Sequence, residues 1–164
     1  MPEKKTVERA KKDKAEGKAP STQAGEFVRE EMDHIREGKH GARSAKQAIA
    51  IGLSKARRAG VKLPAPKTGT AATKKSAARD AKKGRSKARK PVSRTRSRAT
   101  KAALQKEGHA AASPKALARH AKASARARGP KQRSAAARKA ARTKGPQERS
   151  AAAKKAARTR ARAS

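Results

Sequence analysis

Four histidines, twelve carboxylates and a serine in a glycine-flanked run are the side chains of this 164-residue sequence equipped for acid-base, metal or nucleophilic chemistry; 48 Lys and Arg are equipped to hold polyanions. The run Gly52-Leu53-Ser54-Lys55-Ala56 comes within one residue of a nucleophile elbow. That chemistry needs its serine on a sharp turn from strand to helix. Here the serine falls inside a helical pattern with no strand before it, so Ser54 is read as an ordinary helix residue. His34 and His40 flank an acid-rich helix end, but their separation matches no recognised metal spacing, and they read as exposed polar residues. No glycine loop of the Walker or Rossmann type occurs, and cysteine is absent. The expectation is a non-enzyme with no catalytic residue, no metal site, no cofactor and no small-molecule substrate.

Two other constellations remain. Glu26, Glu30, Asp33 and Glu37 are spaced 4, 3 and 4, which on a helix makes a carboxylate ridge about 16 Å long. It reads first as a solvated face and second as a docking ridge for a basic partner, the chain's own tail included. The second constellation is basic. Lys46, Lys55, Arg57, Arg58 and Lys62 surround one predicted helix, and Lys115, Arg119, Lys131, Arg138, Lys139, Arg142, Lys154, Lys155, Arg158 and Arg160 recur through the last third. These fifteen are the candidate nucleic-acid contacts. Phe27 is the sole aromatic residue, so stacking platforms for unpaired bases are missing. With no helix-turn-helix or zinc-finger pattern for base readout, binding should be phosphate-driven and nearly blind to sequence.

The elements that position these groups follow from where the charge and the apolar residues fall. Residues 1–37 hold nine acids and nine bases; after Gly38, 39 bases face only Asp80, Glu107 and Glu148, which accounts for the whole net charge of +36. Leu, Ile, Val and Phe number 12 of 164, far below the roughly 20% under which a highly charged chain is expected to be disordered. Of the apolar side chains larger than alanine, only Val92, Leu104 and Leu117 follow residue 63. Any core should therefore lie in the head, with Pro64-Ala65-Pro66 as its boundary.

In the head, PSTQAGEFVREEMDHIREG predicts a helix with Ser21 as N-cap and Gly38 just past its end. Ala24, Phe27, Val28, Met32 and Ile35 form its apolar stripe. SAKQAIAIGLSKARRAG predicts a second helix opened by a Ser44/Gln47 capping box and closed by Gly60, with Ala45, Ala48, Ile49, Gly52, Leu53 and Ala56 on one face. So small a core needs help, and a homodimer through residues 21–60 is the cheapest source. Residues 3–16 are expected to fray, having Val7 as their one large apolar residue.

The run STQAGEFVREEMDHIREGKHGARSAKQAIAIGLSKARRAGVKLP, with PEKKTVERAKKDKAEGKAP before it, resembles the N-terminal module of a family of small basic bacterial proteins known only as a domain of unknown function. The resemblance covers residues 1–64 and implies a bacterial cytoplasmic protein; some members bear a DNA-binding label, and no catalytic residue is carried over.

Residues 65–112, with Gly69, Gly84 and Pro91 as breakers, read as a disordered basic linker. Beyond them Pro114, Pro130 and Pro146 stand 16 residues apart, and Gly129–Lys144 matches Gly145–Arg160 at 12 of 16 positions. Each proline starts a helix and the next Gly-Pro stops it. Like charges and a length of about 14 residues predict coil in isolation and helix on phosphate. Such arrays resemble the Ala/Lys/Arg tails of linker histones and bacterial histone-like proteins.

The expected fold is thus mostly α and disordered: a frayed helix at 1–18, a small helical hairpin at 19–64, a disordered linker at 65–112, and a long basic low-complexity tail of conditional helices at 113–164. No stretch approaches a membrane span and residues 1–25 lack the apolar run of a signal peptide, so no membrane partner is expected. The expected function is nonspecific duplex-DNA binding in the bacterial nucleoid, condensing or bridging DNA. An RNA- or ribosome-associated role is one alternative; an adaptor whose head recruits a protein partner is the other.

Overall fold

The structure, a computed structural model, describes residues 2–67, 69–86, 93–143 and 145–163. Pro91 and Val92 lie outside the described residues, as does Lys144 at the end of one repeat. Among the described residues every regular element is helical: α1 (Lys4–Ala15), α2 (Pro20–Arg36), α3 (Ala45–Arg58), α4 (Ala71–Arg85), α5 (Arg94–Gln105), a 3-10 turn (Ala110–Ala112), α6 (Pro114–Thr143) and α7 (Pro146–Ala163). None of these helices is long and apolar enough to cross a membrane. The chain forms two compact units, residues 1–120 and 121–164.

The expectation of a disordered linker and tail is overturned. In the first unit α2 and α3 pair as the predicted hairpin, but α1 and α4 pack on it as well. Two small clusters make the core. One joins Met32, Ile35, Ala42 and Ala48 to Ala111 and Ala112, with Leu117 against it; the other joins Phe27, Ala24 and Ala56 to Ala10 of α1, with Val7 and Leu63 against it. The reason for the discrepancy is size. Among the described residues nine of the twelve buried apolar ones are alanine, and a count of large side chains passes over them. Alanine packs by letting backbones approach, so helices too poor in Leu and Ile for an ordinary core still bury surface against one another.

Glycine serves the same end at Gly41, Gly52 and Gly84, where an added Cβ would meet neighbouring backbone. A Cβ added to Gly52 would stand 2.7 Å from the Val28 Cα and 3.0 Å from the Phe27 carbonyl oxygen, so the α2/α3 crossing requires a bare backbone there. One at Gly84, read as a breaker, would collide with the carbonyl of Arg57; the glycine lets α4 lie against the end of α3. Residues 104–112, also assigned to the linker, are stitched to the α2–α3 loop: the Gly41 N–H donates to the Leu104 carbonyl at 2.9 Å and the Ala42 N–H to that of Gly108 at 3.1 Å.

Local signals held at most helix ends. Gly17, Gly38 and Gly60 each take a positive φ, and after each the chain makes the paired backbone bonds of a Schellman motif, as in Lys39 N–H to His34 carbonyl and Gly38 N–H to Ile35 carbonyl. The Ser44 hydroxyl accepts from the Gln47 N–H at 3.2 Å, while the Gln47 side chain accepts from Arg43 rather than from Ser44 itself. Ser21 is not an N-cap. The helix starts two residues earlier because Pro20, with its fixed φ and missing N–H, suits the first helical position, leaving Ala19 as the cap.

In the second unit the repeats are helical and their punctuation holds. Gly129 breaks α6 with φ 74° and ψ 166°, and α7 begins at Pro146. Alanine, lysine and arginine have the highest helix propensities, and proline at the first turn costs nothing. Those local terms prevail over the charge repulsion that predicted coil. At the start of α6, in the first unit, the Ser113 hydroxyl accepts from the Ala116 N–H at 3.2 Å.

Candidate nucleic-acid interface

The fifteen basic candidates separate into those the fold consumes and those it leaves outward. Lys55 is drawn inward, its Nζ 2.6 Å from Glu31 Oε2 and 3.4 Å from Glu30 Oε1. Arg57 is buried and donates through Nη2 to the Pro64 carbonyl at 3.1 Å. The exposed Arg58 donates through Nε to Asp80 Oδ1 at 2.8 Å, while the Ser54 hydroxyl donates to Oδ2 of the same carboxylate at 2.6 Å. Lys55 and Arg58 thus join α3 to α2 and α4, Arg57 holds the segment that follows α3, and Lys46 and Lys62 are exposed. Of the tail candidates, Lys115 and Arg119 are exposed at the start of α6.

In the second unit Lys131, Arg138, Lys139, Arg142, Lys154, Lys155, Arg158 and Arg160 are all exposed. Winding at 100° per residue puts Lys131, Arg138 and Arg142 within about 40° of one another on the second limb of α6. Arg138, Lys139 and Arg142 surround a shallow hollow floored by Ala135. Lys154, Lys155 and Arg158 repeat the arrangement on α7, sixteen residues on. Basic side chains that sequence reasoning missed lie on α5, where Arg94, Arg96, Arg98 and Lys101 are exposed on a helix with no buried residue. The N-cap signal at Ser93, whose hydroxyl accepts from the Arg96 N–H, was there to be read.

The carboxylate ridge has cations of the first unit on it. Glu26 meets Arg9 Nε at 2.6 Å, Glu30 is buried and accepts the Glu3 N–H at 3.1 Å, Asp33 pairs with Arg36 at 3.3 Å and Glu37 with Lys39 at 2.8 Å. Its first two members thus hold α1, which explains why that helix is packed rather than frayed. Glu3 also accepts from His34 Nε2 at 2.9 Å and from Lys39 at 3.4 Å, and these two bonds hold its carboxyl below the usual range. At the α1–α2 turn, Lys18 reaches Asp13 at 2.8 Å and Glu16 at 2.7 Å, which raises its ammonium pKa well above the ordinary lysine value.

Residues 4–68 match a model described as a family of unknown function (DUF6496). The expected N-terminal domain of unknown function is therefore present. The match takes in α1, α2 and α3, stops before α4, and spans less than half of the chain. No curated protein and no solved structure matches.

Proposed function

We propose that the protein is a non-enzymatic, nucleoid-associated DNA-binding protein that neutralises duplex phosphates without reading sequence. The observation that supports this most is the second unit. Residues 121–164 contain fifteen bases and one acid, Glu148, and the eight candidate contacts there are exposed on helices. Charge of that density requires counter-anions, and duplex DNA, with about one charge per 1.7 Å of axis, is the densest available rod. The second limb of α6 from Lys131 to Arg142 is about 16 Å long, and so faces about ten phosphate charges. The break at Gly129 and the start of a new helix at Pro146 divide the basic surface into short rods, which suits a duplex whose phosphates turn away within half a helical turn. DNA is favoured over single-stranded RNA because the one aromatic side chain, Phe27, is buried in the head.

The test replaces Lys131, Arg138, Lys139, Arg142, Lys154, Lys155, Arg158 and Arg160 by Gln in the full chain. Glutamine keeps the helix propensity while removing the charge. Duplex affinity at moderate salt should fall by at least about a hundredfold, uniformly across sequences. A change under about threefold, or a preference of the unaltered protein for single-stranded RNA over duplex DNA, would overturn the proposal.

A further inference from the structure

The first unit contains a polar cluster that phosphate binding does not use. Glu31, on α2, is fully buried, and neither carboxylate oxygen makes a hydrogen bond of acceptable direction. Its charge is met on one side only, where Lys55 Nζ stands 2.6 Å from Oε2. On the other side Oε1 faces His40 Nε2 at 3.3 Å, and His34 completes the group: one ligating atom from each of Glu31, His34 and His40 lies within 4.8 Å of the other two. The two imidazoles meet edge to face with ring centres 6.2 Å apart, and both side chains are largely buried, at 14% and 16% exposure.

The protons on these rings are fixed by their outer partners. His40 Nδ1 lies 3.1 Å from the Gly41 carbonyl oxygen, which can only accept, so Nδ1 carries the hydrogen. In the neutral ring Nε2 then presents a lone pair to the carboxylate oxygen 3.3 Å away. Two lone pairs at that distance, one of them on a buried anion, repel unless a proton or a metal ion lies between them. His34 Nε2 donates to Glu3, so in the neutral ring of His34 the lone pair is on Nδ1. An imidazole held through its N–H by a carbonyl or carboxylate is the usual support of a metal-ligating histidine.

We propose that Glu31, His34 and His40 form a binding site for a divalent first-row transition metal ion, with Zn²⁺ as the ion whose preferences the donors fit best. Two imidazole nitrogens and one carboxylate oxygen are a three-ligand zinc set that leaves a fourth position open. Zinc bonds of about 2.0–2.2 Å put neighbouring tetrahedral ligands about 3.3–3.5 Å apart. The Glu31/His40 pair is already at that separation, and the widest pair needs to close by little more than 1 Å, within reach of a histidine χ rotation. The spacing, Glu31-x2-His34-x5-His40, is unfamiliar because only the first two ligands share a helix. The third is returned to them by the Schellman turn at Gly38.

The untagged full-length chain, stripped with chelator, is titrated with Zn²⁺ by calorimetry and with Co²⁺ by visible absorption. One ion should bind per chain, with visible bands of low-symmetry Co²⁺ and a higher unfolding midpoint in Zn²⁺. His34→Gln and His40→Gln should each weaken binding by at least about tenfold while keeping the helical circular dichroism; His120→Gln, outside the cluster, should bind as the unaltered chain does. Absence of stoichiometric binding below millimolar Zn²⁺ would overturn the proposal. So would equal affinity in the His34 and His40 variants, or an equal loss in the His120 variant.

Discussion

Asp80 offers the sharpest test of how the chain after residue 64 joins the head. It is 5% exposed and accepts from both Ser54 and Arg58, so a single carboxylate fastens α4 to α3. Asp80→Ala removes two hydrogen bonds to a charged group, worth about 1.5–3 kcal/mol each before discounting. The guanidinium of Arg58 is 54% exposed and returns to water when released, so its share shrinks to that of a surface pair, about 0–1 kcal/mol. The Ser54 bond and the space left by the carboxylate bring the net loss to about 2–3 kcal/mol. With an unfolding entropy of about 2.1 cal/mol/K per residue over the 120-residue unit, that lowers the melting temperature by about 8–12 °C. Thermal unfolding followed by circular dichroism reads the shift, and a double-mutant cycle with Arg58→Ala isolates the pair. A melting temperature unchanged within about 2 °C would refute the reasoning: α4 would then contribute nothing to the stability of the head.

Gly52→Ala should destabilise by about 1–3 kcal/mol despite its higher helix propensity, because the new methyl meets the Val28 Cα and the Phe27 carbonyl; urea unfolding midpoints decide it. Lys18→Met should loosen the α1–α2 turn at neutral pH. Since the folded pKa of Lys18 is raised, its contribution is complete below the ordinary lysine value and is lost as pH rises through the folded value. The gap in melting temperature between the two proteins should therefore hold from pH 6 to 9 and close only in strong alkali.

What the sequence made legible follows the range of the interactions involved. Schellman glycines, the Ser44 cap and the Gly-Pro punctuation act over four or five residues, and Gly17, Gly38, Gly60, Gly129 and Pro146 sit where those rules put them. The apolar stripe from Ala24 to Ile35 was equally plain, since one periodic face suffices to show it. Docking of α4 and residues 104–112 was hidden because its contacts include small alanines, glycine against backbone, and one aspartate, Asp80, in an otherwise cationic run, and docking of α1 because it rests on Ala10 and on polar bonds to the distant Glu26 and Glu30. Burial of Glu30 and Glu31 was hidden for a related reason: their compensating groups, Lys55 and the Glu3 N–H, stand 25 and 27 residues away from Glu30. The fifteen basic candidates were legible as a set but not individually. Charge alone could not separate Lys55 and Arg57, which the fold turns inward, from Lys131 and Arg138, which it leaves exposed.

The central claim, that the basic helices bind duplex phosphate without reading bases, is tested most directly by the salt dependence of duplex affinity. With about ten phosphates neutralised, log K should fall against log salt with a slope of about −9, the same for unrelated sequences, and removal of the eight charges of the second unit should flatten it by about 7. A slope shallower than about −3 on a duplex of thirty base pairs or more, or affinities that differ tenfold between unrelated sequences at one salt concentration, would contradict it.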